Sequence, residues 1–180
     1  MILRYFSVIG DAPEAFVVVV GAFAFTILFS LSFHEFSHAY VADRLGDRTP
    51  RSMGRVTLNP RAHMDPVGSM MILFVGFGWA KPVPINPFNT ANPQRSLAMI
   101  ASAGPLSNLV MAGLAGIPIK TGMVVGSHPF VHPAVVDNLA QFATQSPGHL
   151  VGLFLGTVVL INVLLAIFNL LPLAPLDGFN

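Results

Sequence analysis

At 180 residues the chain has the length of one domain, yet 53% of it is hydrophobic and only 9% is charged, against roughly 25% charged in an average soluble domain. That is the composition of a membrane protein. The lack of cysteine excludes disulfides, iron–sulfur clusters and a cysteine nucleophile, and a formal charge of +1 offers no basic surface for a nucleic-acid partner.

The first apolar run does not read as a cleavable signal peptide. Acidic Asp11 and Glu14 precede it, no small-residue cleavage site closes it, and it continues into a polar motif. From Ala15 to Phe33 all nineteen positions are apolar or small except Thr26, Ser30 and Ser32, and after Glu14 the only charge before Asp43 is Glu35. One helix is predicted over about 15–45, long enough to span a bilayer. At 1.5 Å per residue, His34 lies roughly 14 Å before Asp43, inside the bilayer near one face.

The run ends in His34-Glu35-Phe36-Ser37-His38. Histidines four apart stack on one face of a helix and can grip a single metal ion, with the glutamate beside them. Neutral imidazoles suit zinc, and a catalytic zinc site takes three protein ligands and leaves one position open. Glu35 sits where a carboxylate can take a proton from water and later hand it to a leaving amine. Ionisable residues inside a membrane span mark a functional site by default. The pattern reads as the core of a zinc hydrolase holding one zinc ion per chain, and a third ligand must come from elsewhere.

Farther along, Arg51 to Asn59 shows a short alternation with Val56 and Leu58 on one side, which predicts a small β element at the rim, able to hold an unwound peptide by strand addition. Residues 66–80 are apolar but too short for a comfortable span, and read as a re-entrant segment or hairpin. The stretch 97–119 is long enough to cross, with a kink expected at Gly104-Pro105. The last span is 149–171, with Gly148, Gly152 and Gly156 forming a small-residue face for close packing. Seven of the nine Lys and Arg fall between Arg44 and Arg95, so that region is expected on the cytoplasmic side. The last span then ends at the face where His34 lies.

That span closes with Asn169-Leu170-Leu171-Pro172-Leu173-Ala174-Pro175-Leu176-Asp177-Gly178. Pro172 and Pro175 force the helix to unwind, which is tolerated at membrane depth where backbone is buried in protein or lines a wet cavity. Asp177 is the only acidic residue after Asp137, and the topology returns it to the depth of His34. It is the expected third zinc ligand, and with Glu35 it balances the charge of the ion. Asp-Gly is also an ordinary turn pair.

His34-Glu35-Phe36-Ser37-His38 paired with Leu176-Asp177-Gly178 and with Asn169, eight residues before the aspartate, resembles the site-2 protease family of intramembrane zinc metalloproteases. Gly104-Pro105-Leu106-Ser107-Asn108 fits the same pattern. Gly54-Arg55-Val56-Thr57-Leu58-Asn59-Pro60 and Gly78-Trp79-Ala80-Lys81-Pro82-Val83-Pro84 are similar to its compact prokaryotic branch. The resemblance implies zinc on His34, His38 and Asp177, Glu35 as catalytic base, and Asn169 as a group that positions substrate or stabilises the oxyanion. Asn169 could equally bond backbone freed by Pro172. It also implies a multi-pass protein of a prokaryotic inner membrane that cuts transmembrane segments of other membrane proteins. No PDZ-like insert separates the motifs, and the chain ends three residues after Asp177, where the family usually continues, which reads as a truncation.

The expected architecture is therefore an all-α polytopic helical bundle in a lipid bilayer, with about three full spans, a re-entrant or hairpin segment and a small cytoplasmic-rim β element, in a single metalloprotease domain. Asn108 is a candidate neighbour of the site, and His63 reads as a solvent or interface histidine of a polar loop. Rival readings are a catalytically silent homologue acting as membrane adaptor or chaperone, and a metal transporter. The intact motif argues against silence, and the scarcity of metal-binding groups in the outer half of the spans argues against transport.

Overall fold

A computed structural model describes residues 12–75, 80–129, 136–171 and 177. Three helices are long and apolar enough to cross a membrane. Helix α1 runs over Pro13–Arg44. It is followed by two single turns, α2 (Thr49–Ser52) and α3 (Pro60–His63), and by α4 (Pro66–Val75). Then come the long α5 (Pro93–Lys120), α6 (Val136–Thr144) and α7 (Pro147–Asn169). Helix α5 packs against both α1 and α7, and α1 also packs on α7. The bundle is all-α, as the apolar runs predict.

Its interior departs from the soluble pattern. Phe29, Leu106, Val110, Leu114, Ile117 and Ile167 are each more than half exposed, whereas Thr26, Ser30, His34, His38, Asn108, Thr157 and Asn162 are buried. Lipid is as apolar as a leucine side chain, so apolar residues gain little by turning inward, and polar ones must find partners inside. At one end an apolar cluster of Ala15, Val19, Phe23, Ala140, Ala143 and Leu153 ties α1, α6 and α7 together.

Within α1, residues Thr26–Ser30 form a π turn, in which the Leu31 amide donates to Thr26 O. On an undisturbed helix a row of residues four apart drifts by about 40° per step. The wider π turn takes back part of that drift, and Thr26, Ser30, His34 and His38 all end up buried on the inner face. The buried Asn162 of α7 donates to Ser30 Oγ at 3.0 Å, which sets the register of α7 against this stripe.

Gly152 and Gly156 of the α7 glycine row pack within the chain, against loop backbone and not against a helix. A Cβ at Gly152 would lie 1.9 Å from Val125 O, and one at Gly156 would lie 1.9 Å from Ser127 O. Only glycine admits a carbonyl so close.

Two expectations are revised. Among the described residues there is no strand, and the stretch 51–59 is a helical turn followed by Gly54 at φ +69° and an irregular run to Asn59. The four-residue alternation misled because the side chain that turns inward is Arg55, while Leu58 is 55% exposed. Arg55 donates to the carbonyls of Ala62 and Lys81, and Asn59 caps α3 through Arg61 N, so local partners replace a strand ladder. His63, read as a loop histidine, is fully buried, with Nε2 donating to Thr57 O at 2.7 Å. As for 66–80, α4 has ten residues, about 15 Å of helix, too short to cross. The return expected after it, at 76–79, lies outside the described residues.

Asp47 clips the rim. Its buried carboxylate accepts from Thr49 N and Oγ1, from Asn86 N at 2.7 Å and from Asn89 Nδ2 at 2.9 Å. Burial pushes this carboxyl up, but the four hydrogen bonds outweigh it and hold it below its ordinary 3.8. His63 is pushed below its ordinary 6.5 by burial, with Arg55 adding to the effect against the bond to Thr57. Both groups are depressed in the folded chain, so both contribute stability above their unfolded values and lose it as pH falls. Hydrogen exchange should show amides of 57–63 loosening below about pH 6.5 and those of 86–90 below about pH 4. Asp47→Asn should remove the second step and speed exchange at 86–90 roughly tenfold at neutral pH, the equivalent of one charge-assisted bond.

Candidate metal centre

His34 and His38 sit one turn apart on α1, 3% and 4% exposed. Their Nε2 atoms are 3.1 Å apart. Asp177, beyond the end of α7, brings Oδ2 to 3.0 Å from His34 Nε2 and 3.1 Å from His38 Nε2. Three atoms of the kind that bind metals thus form a nearly equilateral triangle, and these residues can hold a metal ion.

Protons satisfy the His38 side of this arrangement poorly. His38 Nδ1 lies 2.7 Å from Ile100 O, and a carbonyl only accepts, so Nδ1 carries the proton. In the neutral ring Nε2 then presents a lone pair to a carboxylate oxygen, and a cation shared by all three atoms relieves that repulsion. Zinc bonds of about 2.0–2.1 Å in a tetrahedral site place ligands about 3.3–3.4 Å apart. The triangle is within a few tenths of an ångström of that spacing, and the donor set of two imidazoles and a carboxylate fits zinc.

Helix α5 shapes the site through residues four apart, which share one face. Ile100 supplies the carbonyl to His38. Gly104 leaves room beside both rings, since a Cβ there would lie 2.3 Å from His38 Nε2 and 2.5 Å from His34 Nε2. Asn108, fully buried, places Nδ2 3.0 Å from His34 Nδ1. Pro105 lacks the amide that would bond Ala101 O, yet the helix runs unbroken through it from Pro93 to Lys120.

Glu35 is 9% exposed and within electrostatic reach of His34, His38, Asp177 and Arg55. Of the residues singled out in the sequence, the fold therefore gathers His34, Glu35, His38, Asn108 and Asp177. Asn169 is the last residue of α7, with Nδ2 donating to Leu165 O at 2.9 Å. His149 lies elsewhere, stacked on Phe142, and His132 lies outside the described residues. Sequence reasoning missed Arg55 as a buried cation within electrostatic reach of Glu35, although its place in the Gly54–Pro60 motif was a signal. It also missed the Ile100 carbonyl, for which no side chain could have been a signal.

A buried glutamate on a span, next to two histidines and an aspartate that can hold a metal ion, is the arrangement expected of a membrane metallopeptidase. Residues 22–180 match the model of peptidase family M50, and the chain belongs to this family, that of the site-2 proteases. It is 38% identical over 155 residues to "Putative zinc metalloprotease YwhC" of Bacillus subtilis (strain 168), covering 86% of this chain and 64% of the relative. It is 30% identical over 170 residues to "Putative zinc metalloprotease Rip2" of Mycolicibacterium smegmatis, covering 89% and 57%. The chain thus spans about three fifths of the length of these relatives. No solved structure matches it significantly.

Zinc content of the detergent-purified chain should be near one per chain for the wild type and for Glu35→Gln, and near zero for Asp177→Ala. Gly104→Ala should also lose zinc, because its methyl group intrudes between the rings, whereas Gly113→Ala on the same helix, with nothing within 4 Å of its Cβ, should keep it.

Proposed function

We propose that the chain is an intramembrane zinc metalloendopeptidase that hydrolyses peptide bonds in or near transmembrane segments of membrane-protein substrates, in regulated intramembrane proteolysis. The observation that carries this reading is the triangle of His34, His38 and Asp177 with Glu35 beside it on a membrane-spanning helix. His34, His38 and Asp177 would hold the ion. Zinc bound there supplies Lewis acidity toward a peptide carbonyl and toward water.

The chain's own residues do the rest. Glu35, held by α1 in the buried interior, takes a proton from the attacking water and returns it to the leaving amine, so the amine departs neutral. The surrounding helices keep bulk water away, which strengthens each electrostatic contact in the site. Asn169, at the end of α7 and eight residues before Asp177, positions substrate or donates to the oxyanion once its amide leaves Leu165 O. The excess of Lys and Arg between Arg44 and Arg95 supports an orientation with the site toward the cytoplasm of a prokaryotic inner membrane.

The test is cleavage of single-span reporter proteins by the chain reconstituted in liposomes. Glu35→Gln should lower kcat by about 10²–10⁴-fold while retaining zinc, and Asn169→Ala should lower it by about 10²-fold with zinc also retained. Undiminished cleavage by Glu35→Gln, or a folded wild type that takes up no zinc, overturns the proposal.

A further inference from the structure

The buried side chain of Asn108 makes one contact with the centre and leaves another atom idle. Its Nδ2 lies 3.0 Å from His34 Nδ1, while its Oδ1 is buried with no hydrogen-bond partner. An amide NH2 only donates, so in this arrangement His34 Nδ1 accepts and the proton of the neutral ring sits on Nε2. That is the ring atom 3.0 Å from Asp177 Oδ2, and a protonated Nε2 cannot bind a metal.

The oxygen and nitrogen of a side-chain amide exchange places by a half-turn about Cβ–Cγ, with almost no change of shape. After that turn Oδ1 accepts from His34 Nδ1–H, the idle oxygen gains a partner, and the Nε2 lone pair points into the triangle. His38 already has this relation to the Ile100 carbonyl at 2.7 Å. When Nδ1 carries the proton, the unturned amide would set an NH2 donor against an N–H donor, which favours the turned amide.

We infer that Asn108 is the positioning residue of His34: its Oδ1 accepts a hydrogen bond from Nδ1–H in the metal-loaded chain and thereby directs the Nε2 lone pair at the ion. Asparagine serves where an acid or an aliphatic residue does not, because it can donate to the metal-free ring and accept from the loaded one. This inference rests on the zinc reading above.

The experiment measures zinc affinity of the full chain in detergent by competition with a chromophoric chelator, together with thermal unfolding of the metal-free forms. Asn108→Leu keeps the approximate volume and removes the acceptor; its affinity should fall about 10–100-fold, the usual cost of losing a partner to a ligating histidine. Asn108→Asp retains an acceptor and should bind at least as tightly as the leucine variant by tenfold, whatever either does to the unfolding temperature. Nitrogen-15 spectra of histidine-labelled, zinc-loaded wild type should show His34 protonated at Nδ1. Leucine and wild type binding equally, or aspartate binding as weakly as leucine, overturns the inference while leaving the zinc reading intact. A folded wild type that takes up no zinc overturns both.

Discussion

The approach of α5 to α1 at Gly104 is the contact on which the rest of the centre depends. Two imidazole rings, an aspartate and a neighbouring helix meet where a single methyl group would lie 2.3 Å from one ring nitrogen and 2.5 Å from the other. Because that methyl group is missing, the helix can come near enough for Ile100 to reach His38 and for Asn108 to reach His34. The residues that orient the rings are thus supplied by a helix that contributes no ligand. This division is common in metal sites, where outer partners hold the ligands' aim.

Burial of so much polarity within a membrane bundle needs compensation in every direction. The π turn of α1 brings Thr26 and Ser30 onto the same inner face as the histidines, and both have a local or cross-helix partner. Thr26 returns its hydroxyl to Ala22 O, and Ser30 receives Asn162. Such hydrogen bonds contribute modestly in a membrane, about 0.6 kcal/mol on average. Their larger effect is on register, because the stripe can be satisfied at only one alignment of α7 against α1.

Much of this was legible in the sequence, for physical reasons that differ by element. The three long helices are announced by apolar runs whose length is set by the bilayer, and the boundaries moved by only a few residues, from 15–45 to Pro13–Arg44 and from 97–119 to Pro93–Lys120. The His34 and His38 pair is a local spacing and needs no tertiary information. Asp177 could be reached because acidic residues are scarce and the topology returns the chain to the right depth. The rim resisted for the opposite reason: alternation across Val56 and Leu58 is too brief to tell a strand from an irregular loop, and it does not reveal that Arg55 turns inward. The role of the Ile100 carbonyl was hidden because backbone groups carry no sequence signature. The partner of the glycine row was hidden likewise, since small residues admit any close neighbour, a loop as readily as a helix.

The placement of Asp177 couples the centre to assembly of the whole bundle. It lies 139 residues beyond His38, after α7, whose last residue is Asn169. Its carboxylate can meet the histidines only when α7 is docked along α1 and α5, with the glycine row seated on residues 125–127 and Asn162 on Ser30. Without Asp177, two neutral histidines offer an incomplete set for zinc; with it and Glu35, two negative charges offset the two positive charges of the ion, which lowers the cost of burying all of them. A ligand set that exists only in the assembled state makes metal binding a contribution to folding. An ion held there and the helix packing would therefore stabilise the same arrangement of α1, α5 and α7.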